Sequence, residues 1–209
     1  MTTLVATVSD KYACILSESQ VSDDIGGIRM PTDSIKVVRQ GSWLISGCGW
    51  VRASDVVQHI TKWPVVPPKL VKASAQELTE WIIKRVVPIV RLSLENEKSI
   101  DFDKGMAQMV ESEFLIATHG KVFSLDEGFG VTPINNFYVS GSGGKIALGA
   151  IHALRQQSIE TSSVEVWNNH HDMFGAKGIE SAMKFDLYSS GTIRGYKSYP
   201  NGNIKPFTL

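Results

Sequence analysis

The chain is poor in cysteine, in surplus charge and in long apolar runs, and each shortage excludes something. Only two cysteines occur among 209 residues, Cys14 and Cys48, each in an apolar stretch. That argues against a disulfide-stapled scaffold and for buried free thiols. Lys and Arg number 21 and so do Asp and Glu, so no charge excess points to nucleic acid or an anionic membrane. No stretch approaches the ~18 consecutive apolar residues of a membrane span. The N-terminus also lacks the basic segment and apolar run of a secretory signal. What remains is ordinary for a globular protein, at 43% hydrophobic and 20% charged residues. The expectation is a soluble, cytoplasmic protein, with residues 1–209 forming a single domain with a sizeable core.

Periodicity divides the chain into alternating blocks. Leu4 to Val8 and Ala13 to Leu16 read as strands joined at Ser9-Asp10-Lys11, and Ser22 to Gly27 as a loop. Ser34 to Arg39 and Trp43 to Ser46 read as a further pair turning at Gln40-Gly41. Gly47-Cys48-Gly49 interrupts that pattern before a helix from Ala53 to Thr61 with Ser54 as a cap. Ser74 to Val87 has helical spacing, and Ser74-Ala75-Gln76-Glu77 forms a capping box; Pro88 is expected to end or kink the helix. Lys104 to Glu111 is ambiguous. Phe114 to Thr118 and Lys121 to Leu125 flank His119-Gly120 as a hairpin. Phe137 to Val139 reads as a strand, Lys145 to Gln156 and Ser163 to Met173 as helices, and Ala182 to Leu187 and Thr192 to Tyr196 as closing strands. This order allows two antiparallel sheets face to face with helices on both outer sides, an α+β architecture.

The first candidate for chemistry is Thr2. Aminopeptidases accept a small residue behind the initiator methionine, so the mature chain is expected to start there. Thr2 then carries both a hydroxyl nucleophile and a free α-amine that titrates near ~7.7–8.0, close enough to neutrality to act as its base.

The blocks that follow carry a resemblance. Thr2-Thr3-Leu4-Val5-Ala6, Cys14 to Ser19, Ser34-Ile35-Lys36-Val37 and Ile45-Ser46-Gly47-Cys48-Gly49 are similar to the corresponding segments of proteasome β subunits and their bacterial relatives. The strongest likeness runs from Phe114 to Asp126 and from Tyr138 through Gly141-Ser142-Gly143-Gly144 to Ala150. It spans most of the chain and is weakest between Pro64 and Glu113 and after Gly175.

The resemblance implies an N-terminal nucleophile (Ntn) hydrolase with a four-layer αββα sandwich of two antiparallel sheets. It assigns Thr2 as nucleophile and base, Lys36 as the cation that lowers the hydroxyl's pKa, and Glu18 as the carboxylate holding that lysine. The N–H of Gly49, or of Gly47, stabilises the oxyanion. Ser142 and Asp172 fall where the family hydrogen-bonds the threonine amine, and Gln20, Val21 and Cys48 where it lines the substrate pocket. Two positions depart from the pattern: the family has Asp where Glu18 stands, and many members have Ser where Gly175 stands.

Plainer readings weigh against other chemistry. Gly141-Ser142-Gly143-Gly144 does not complete the pattern of a phosphate-binding loop and reads as a tight turn with close helix packing. His170-His171-Asp172 has no spaced ligand set, and adjacent helical residues diverge by ~100°. No metal or cofactor is expected. The implied function is a threonine-type peptidase cleaving unfolded polypeptide inside a homo-oligomeric ring, with an unfoldase ATPase or gating ring as partner. Two other readings share the fold: a structural ring subunit with impaired catalysis, and a small-molecule amidase.

Overall fold

The computed structural model describes residues 2–22, 29–30, 32–103, 106–161 and 164–209. In chain order the elements are β1 (Thr3–Val8), β2 (Ala13–Ser17), β3 (Val21–Ser22), β4 (Arg29–Met30), β5 (Val37–Gln40) and β6 (Trp43–Gly49). Then come α1 (Val51–Asp55) continuing as a π-helical turn Val56–Ile60, a 3-10 turn Pro68–Leu70, α2 (Ala75–Trp81), a second π-helical turn Ile82–Val86 and α3 (Val87–Asn96). β7 (Ile100–Asp103), β8 (Met106–Met109), β9 (Ser112–Thr118), β10 (Lys121–Leu125), β11 (Val131–Ile134) and β12 (Phe137–Gly141) follow. α4 (Gly144–Thr161), α5 (Val164–Phe185), β13 (Arg194–Ser198) and β14 (Ile204–Thr208) complete the chain.

Two five-stranded antiparallel sheets carry the molecule, ordered β12-β1-β2-β13-β14 and β11-β10-β9-β6-β5. Alternation along the strands makes three packed interfaces from two sheets. Leu4, Ala6 and Ile15 meet Leu44, Leu115 and Ala117 between the sheets. Val5, Cys14 and Leu16, one step out of phase, pack on Ala147, Ile151, Ala176 and Ile179 of α4 and α5. On the far side Ile45, Phe114, Ile116 and Phe123 pack on Val56, Leu78, Ile82 and Val90. The result is the α+β, helix–sheet–sheet–helix sandwich expected from the sequence.

Local chemistry sets the register. His119 and Gly120 both take positive φ, 48° and 74°, as a two-residue type I′ turn requires. Gly41 at 58° occupies the first central position of the β5–β6 turn. Ser74 accepts from Glu77 N and Glu77 reaches back to Ser74 N, completing the capping box. Pro88 does not end the helical stretch: it sits in the first turn of α3, directly after the π-helical turn Ile82–Val86 that interrupts the regular α-helix. The first helix begins at Val51 with Trp50 at its cap, rather than at Ser54.

The stretch from Ala182 to Leu187 is not a strand. α5 continues to Phe185, and the alternating Phe185 and Leu187 are exposed at 75% and 63%, so their period-two pattern lines no buried face. Of the loop expected at Ser22 to Gly27, residues 23–27 lie outside the described residues, as do Lys104 and Gly105 of the ambiguous segment, whose Met106–Met109 forms β8.

Candidate active site

Thr2 heads β1, in phase with Leu4 and Ala6, so its side chain faces the opposite sheet where the apolar interior gives way to a cleft. It is 7% exposed. Lys36, just ahead of β5, donates from Nζ to Thr2 Oγ1 at 2.9 Å and to Glu18 Oε1 at 2.7 Å. Glu18 follows β2 and is fully buried. Its carboxylate also accepts the Thr3 amide at 3.0 Å and the Gln20 amide at 2.6 Å. The extra methylene of Glu, relative to the Asp expected here, is thus accommodated: the carboxylate still reaches the lysine while bonded to the backbone on either side of it. Burial pushes the Glu18 pKa up against the pull of Lys36, and burial pushes the Lys36 pKa down against the pull of Glu18. Both shifts have the same physical cause, the loss of hydration of a buried charge, which the ion pair offsets.

The main chain of Lys36 is pinned as well. Its carbonyl accepts from Ser46 Oγ at 2.8 Å and Gln58 Nε2 at 3.0 Å. Pairing of β5 with β6 ends there, at Val37 opposite Ser46. In an antiparallel ladder the N–H groups alternate sides. The two-residue turn makes Gln40 and Trp43 a hydrogen-bonded pair, so Trp43, Ile45, Gly47 and Gly49 direct their N–H groups toward the β5 side. The pairing ends at Val37 and Ser46, so the N–H of Gly49 has no β5 partner, and Gly47, Cys48 and Gly49 all line the cleft. Both positions demand glycine for packing reasons. A Cβ on Gly47 would stand 2.4 Å from the Phe114 ring, and one on Gly49, at φ 108°, 1.8 Å from the Glu111 carbonyl oxygen.

The cleft at Thr2 holds about 210 Å³. Gln20, Val21, Lys36 and Cys48 line it together with Ser54, Asp55, Gln58 and His59 of the first helix and its π-helical continuation. The residues read from the sequence as pocket-lining, Gln20, Val21 and Cys48, therefore stand together beside Thr2.

The same architecture occurs in a solved structure, Thiobacillus denitrificans BPH, a bacterial proteasome homologue. It superposes with a TM-score of 0.69 at 18% identity, covering 94% of this chain and 97% of that one. This is a proteasome-like fold. A second structure, of the same protein in complex with epoxomicin, matches with a TM-score of 0.68 at 18% identity over 94% of this chain and 98% of that one. No family model matches the sequence, and no curated protein does.

The remaining expected residues are distributed differently within the proteasome-like fold. Ser142 lies in the turn after β12 and donates to Asp186 Oδ2 at 2.9 Å. Ser189 donates to the same oxygen at 2.6 Å, and its hydroxyl is 2.5 Å from Thr3 Oγ1. Ser142 therefore connects to the head of β1 through Asp186 and Ser189. Asp172 does not reach this region. Its carboxylate is held by Tyr12 Oη at 2.7 Å and Lys197 Nζ at 2.5 Å, at the β1–β2 turn, about 20 Å of strand from Thr2. Gly175 is likewise elsewhere: a Cβ there would press on Thr7 and Val5 at 3.2 and 3.3 Å, so it serves the seating of α5 on the sheet. Both residues are assigned to the site by the resemblance alone. α5 runs three turns beyond Met173, and the loop after it returns to Thr3 with Asp186 and Ser189, spaced as Asp172 and Gly175 are. The resemblance, carried to Asp172 and Gly175, passes over these two. The signal available for them was the turn composition of Ser189-Ser190-Gly191, where Gly191 has φ 95°.

Proposed function

We propose that the chain is a threonine peptidase in which Thr2, once N-terminal, is both nucleophile and base. The observation that carries this is the position of Lys36 Nζ, within hydrogen-bond distance of both Thr2 Oγ1 and Glu18 at the head of the cleft. Thr2 Oγ1 attacks the substrate carbonyl carbon while the freed α-amine takes its proton. Lys36, cationic beside them, favours the alkoxide-like oxygen and keeps the amine unprotonated. Negative charge on the carbonyl oxygen is met by N–H groups of the Gly47–Gly49 end of β6. Collapse returns the proton to the departing amine and leaves an ester on Thr2. The amine then deprotonates a water that attacks this ester, releasing the carboxylic acid and restoring Thr2.

Gln20, Val21 and Cys48 form the near wall for the residue whose carbonyl is attacked. The substrate class is polypeptide, and the resemblance to a bacterial proteasome homologue supports a homo-oligomeric ring. The position of Glu18 on Lys36 and the remoteness of Gly175 leave the structural-subunit reading without a geometric argument.

The test is intact mass before and after treatment with a threonine-directed β-lactone. A species beginning at Thr2 that gains one adduct, mapped to Thr2, is expected. A chain that keeps its methionine, or a free Thr2 that never reacts in the assembled protein, overturns the reading.

A further inference from the structure

On the side of Thr2 away from Lys36, the space between the sheets is closed by polar side chains rather than apolar ones. Cys48 on β6 and Glu113 on β9 are cross-strand partners. Facing them from the other sheet are Tyr138 and Ser140 of β12. Tyr138 Oη donates to Glu113 Oε1 at 2.7 Å and Ser140 Oγ to Glu113 Oε2 at 2.5 Å, while Cys48 Sγ lies 2.9 Å from the same Ser140 oxygen. Glu113 is half-buried and its carboxylate is committed to the two hydroxyls. The Tyr138 phenol is pushed up to about 12, chiefly by this hydrogen bond to Glu113.

The cluster joins two parts that the chemistry must keep in register. β12 is locked to the nucleophile's strand: Thr3 pairs with Gly141, and a Cβ on Gly141 would come within 1.8 Å of the Thr2 carbonyl oxygen. Cys48 is the middle residue of Gly47–Gly49, the end of β6 that lines the cleft; β9 pairs with this end, but β5 does not reach it. Resting on the peptidase reading above, we propose that Glu113 is a positioning residue, clasping Ser140 and through it Cys48, so that the Gly47–Gly49 end of β6, on one sheet, is held at a fixed distance from Thr2 on the other. Small errors there are expensive: misplacement of about 1 Å can lower a rate ~100-fold.

The experiment compares Glu113→Ala, Glu113→Gln and wild type, with each preparation titrated for reactive Thr2 by the β-lactone. In Glu113→Ala, kcat per titrated site is expected to fall at least ~10-fold with KM changed less than ~2-fold. Gln can accept from Tyr138 and donate to Ser140, freeing that hydroxyl for Cys48, so Glu113→Gln is expected within about threefold of wild type. A purely structural role would lower thermal stability and the number of titratable sites together, leaving kcat per site intact, and that result overturns the proposal. A wild type without titratable Thr2 overturns the peptidase reading and this inference with it; a reactive wild type with an unaffected Glu113→Ala overturns this inference alone. Cys48 offers an independent readout, since Cys14 is fully buried. Its alkylation in the folded protein is expected to accelerate in Glu113→Ala and Ser140→Ala, and an unchanged rate in both also sinks the clasp.

Discussion

At the scale of single residues, the unusual choice is Glu18. Its carboxylate bonds two backbone amides and Lys36 together. Shortening it cannot preserve all three contacts on an unmoved strand, so Glu18→Asp, although it restores the residue the resemblance leads one to expect, is predicted to lower kcat by ~10–100-fold. Steady-state kinetics normalised to titrated Thr2 checks this. Removing the carboxylate altogether leaves Lys36, which is only 11% exposed at its side chain, bonded to Thr2 but without a counter-charge. Glu18→Ala is therefore predicted to cost about 3–5 kcal/mol of stability, measured by denaturant unfolding. These roles are legible in the sequence only through the resemblance, which assigns them by position; as isolated residues Glu18 and Lys36 read as an ordinary ion pair. Asp186 and Ser189 are not legible in that way. Their contact with Thr3 spans most of the chain and exists only because α5 delivers them there.

At the scale of elements, the seating of α5 on the sheet rests on a polar cluster at the β1–β2 turn. His171 is fully buried, with Nδ1 2.8 Å from Thr7 Oγ1, and its ring lies against Tyr12 and Trp167. Asp172 and Lys197 are the charged groups beside it. α5 bends here, at His170 with φ −131° and ψ 16°. Burial lowers the His171 pKa from 6.5 to about 4, a shift that the Asp172 charge opposes and Lys197 reinforces. The folded state thus prefers neutral imidazole. The associated stability is fully present above pH 6.5 and is lost as pH falls from 6.5 toward 4, because the unfolded chain binds the proton first. Thermal midpoints measured across that window are predicted to decline in the wild type and to decline less in His171→Gln. A parallel decline in both would show that other groups govern the acid limb. The sequence weighs this His-His-Asp run as a metal site, and the resemblance puts the Asp near Thr2. Which surface a helix residue meets is set by packing between distant segments, which no local pattern contains.

At the scale of the whole molecule, two sheets with alternating faces create three apolar interfaces, and the candidate site lies where the central one opens. A nucleophile there is framed by both sheets: Glu18 and Ser140 from one, Lys36, Cys48 and Glu113 from the other. Separation of the sheets would disperse these groups even with every strand intact. The proposed ring assembly makes a prediction at this scale. Sedimentation should show a species many times the 23.0 kDa chain mass, with β-lactone reactivity confined to it. A reactive monomer would point instead to an amidase or peptidase that needs no enclosure.

The sequence by itself determined the layers, the strand pairs flanking tight turns, and the grouping of Thr2, Glu18 and Lys36. Those features follow from side-chain periodicity, turn glycines and caps, which act over a few residues, together with a resemblance anchored on the same segments. Only the tertiary structure decided the length of α5, the displacement of Asp172 and Gly175 from the site, the arrival of Asp186 and Ser189, and the Glu113 clasp between the sheets. Each of these joins residues far apart in the chain, through contacts that appear in no local pattern and are set by how helices and sheets pack into one body.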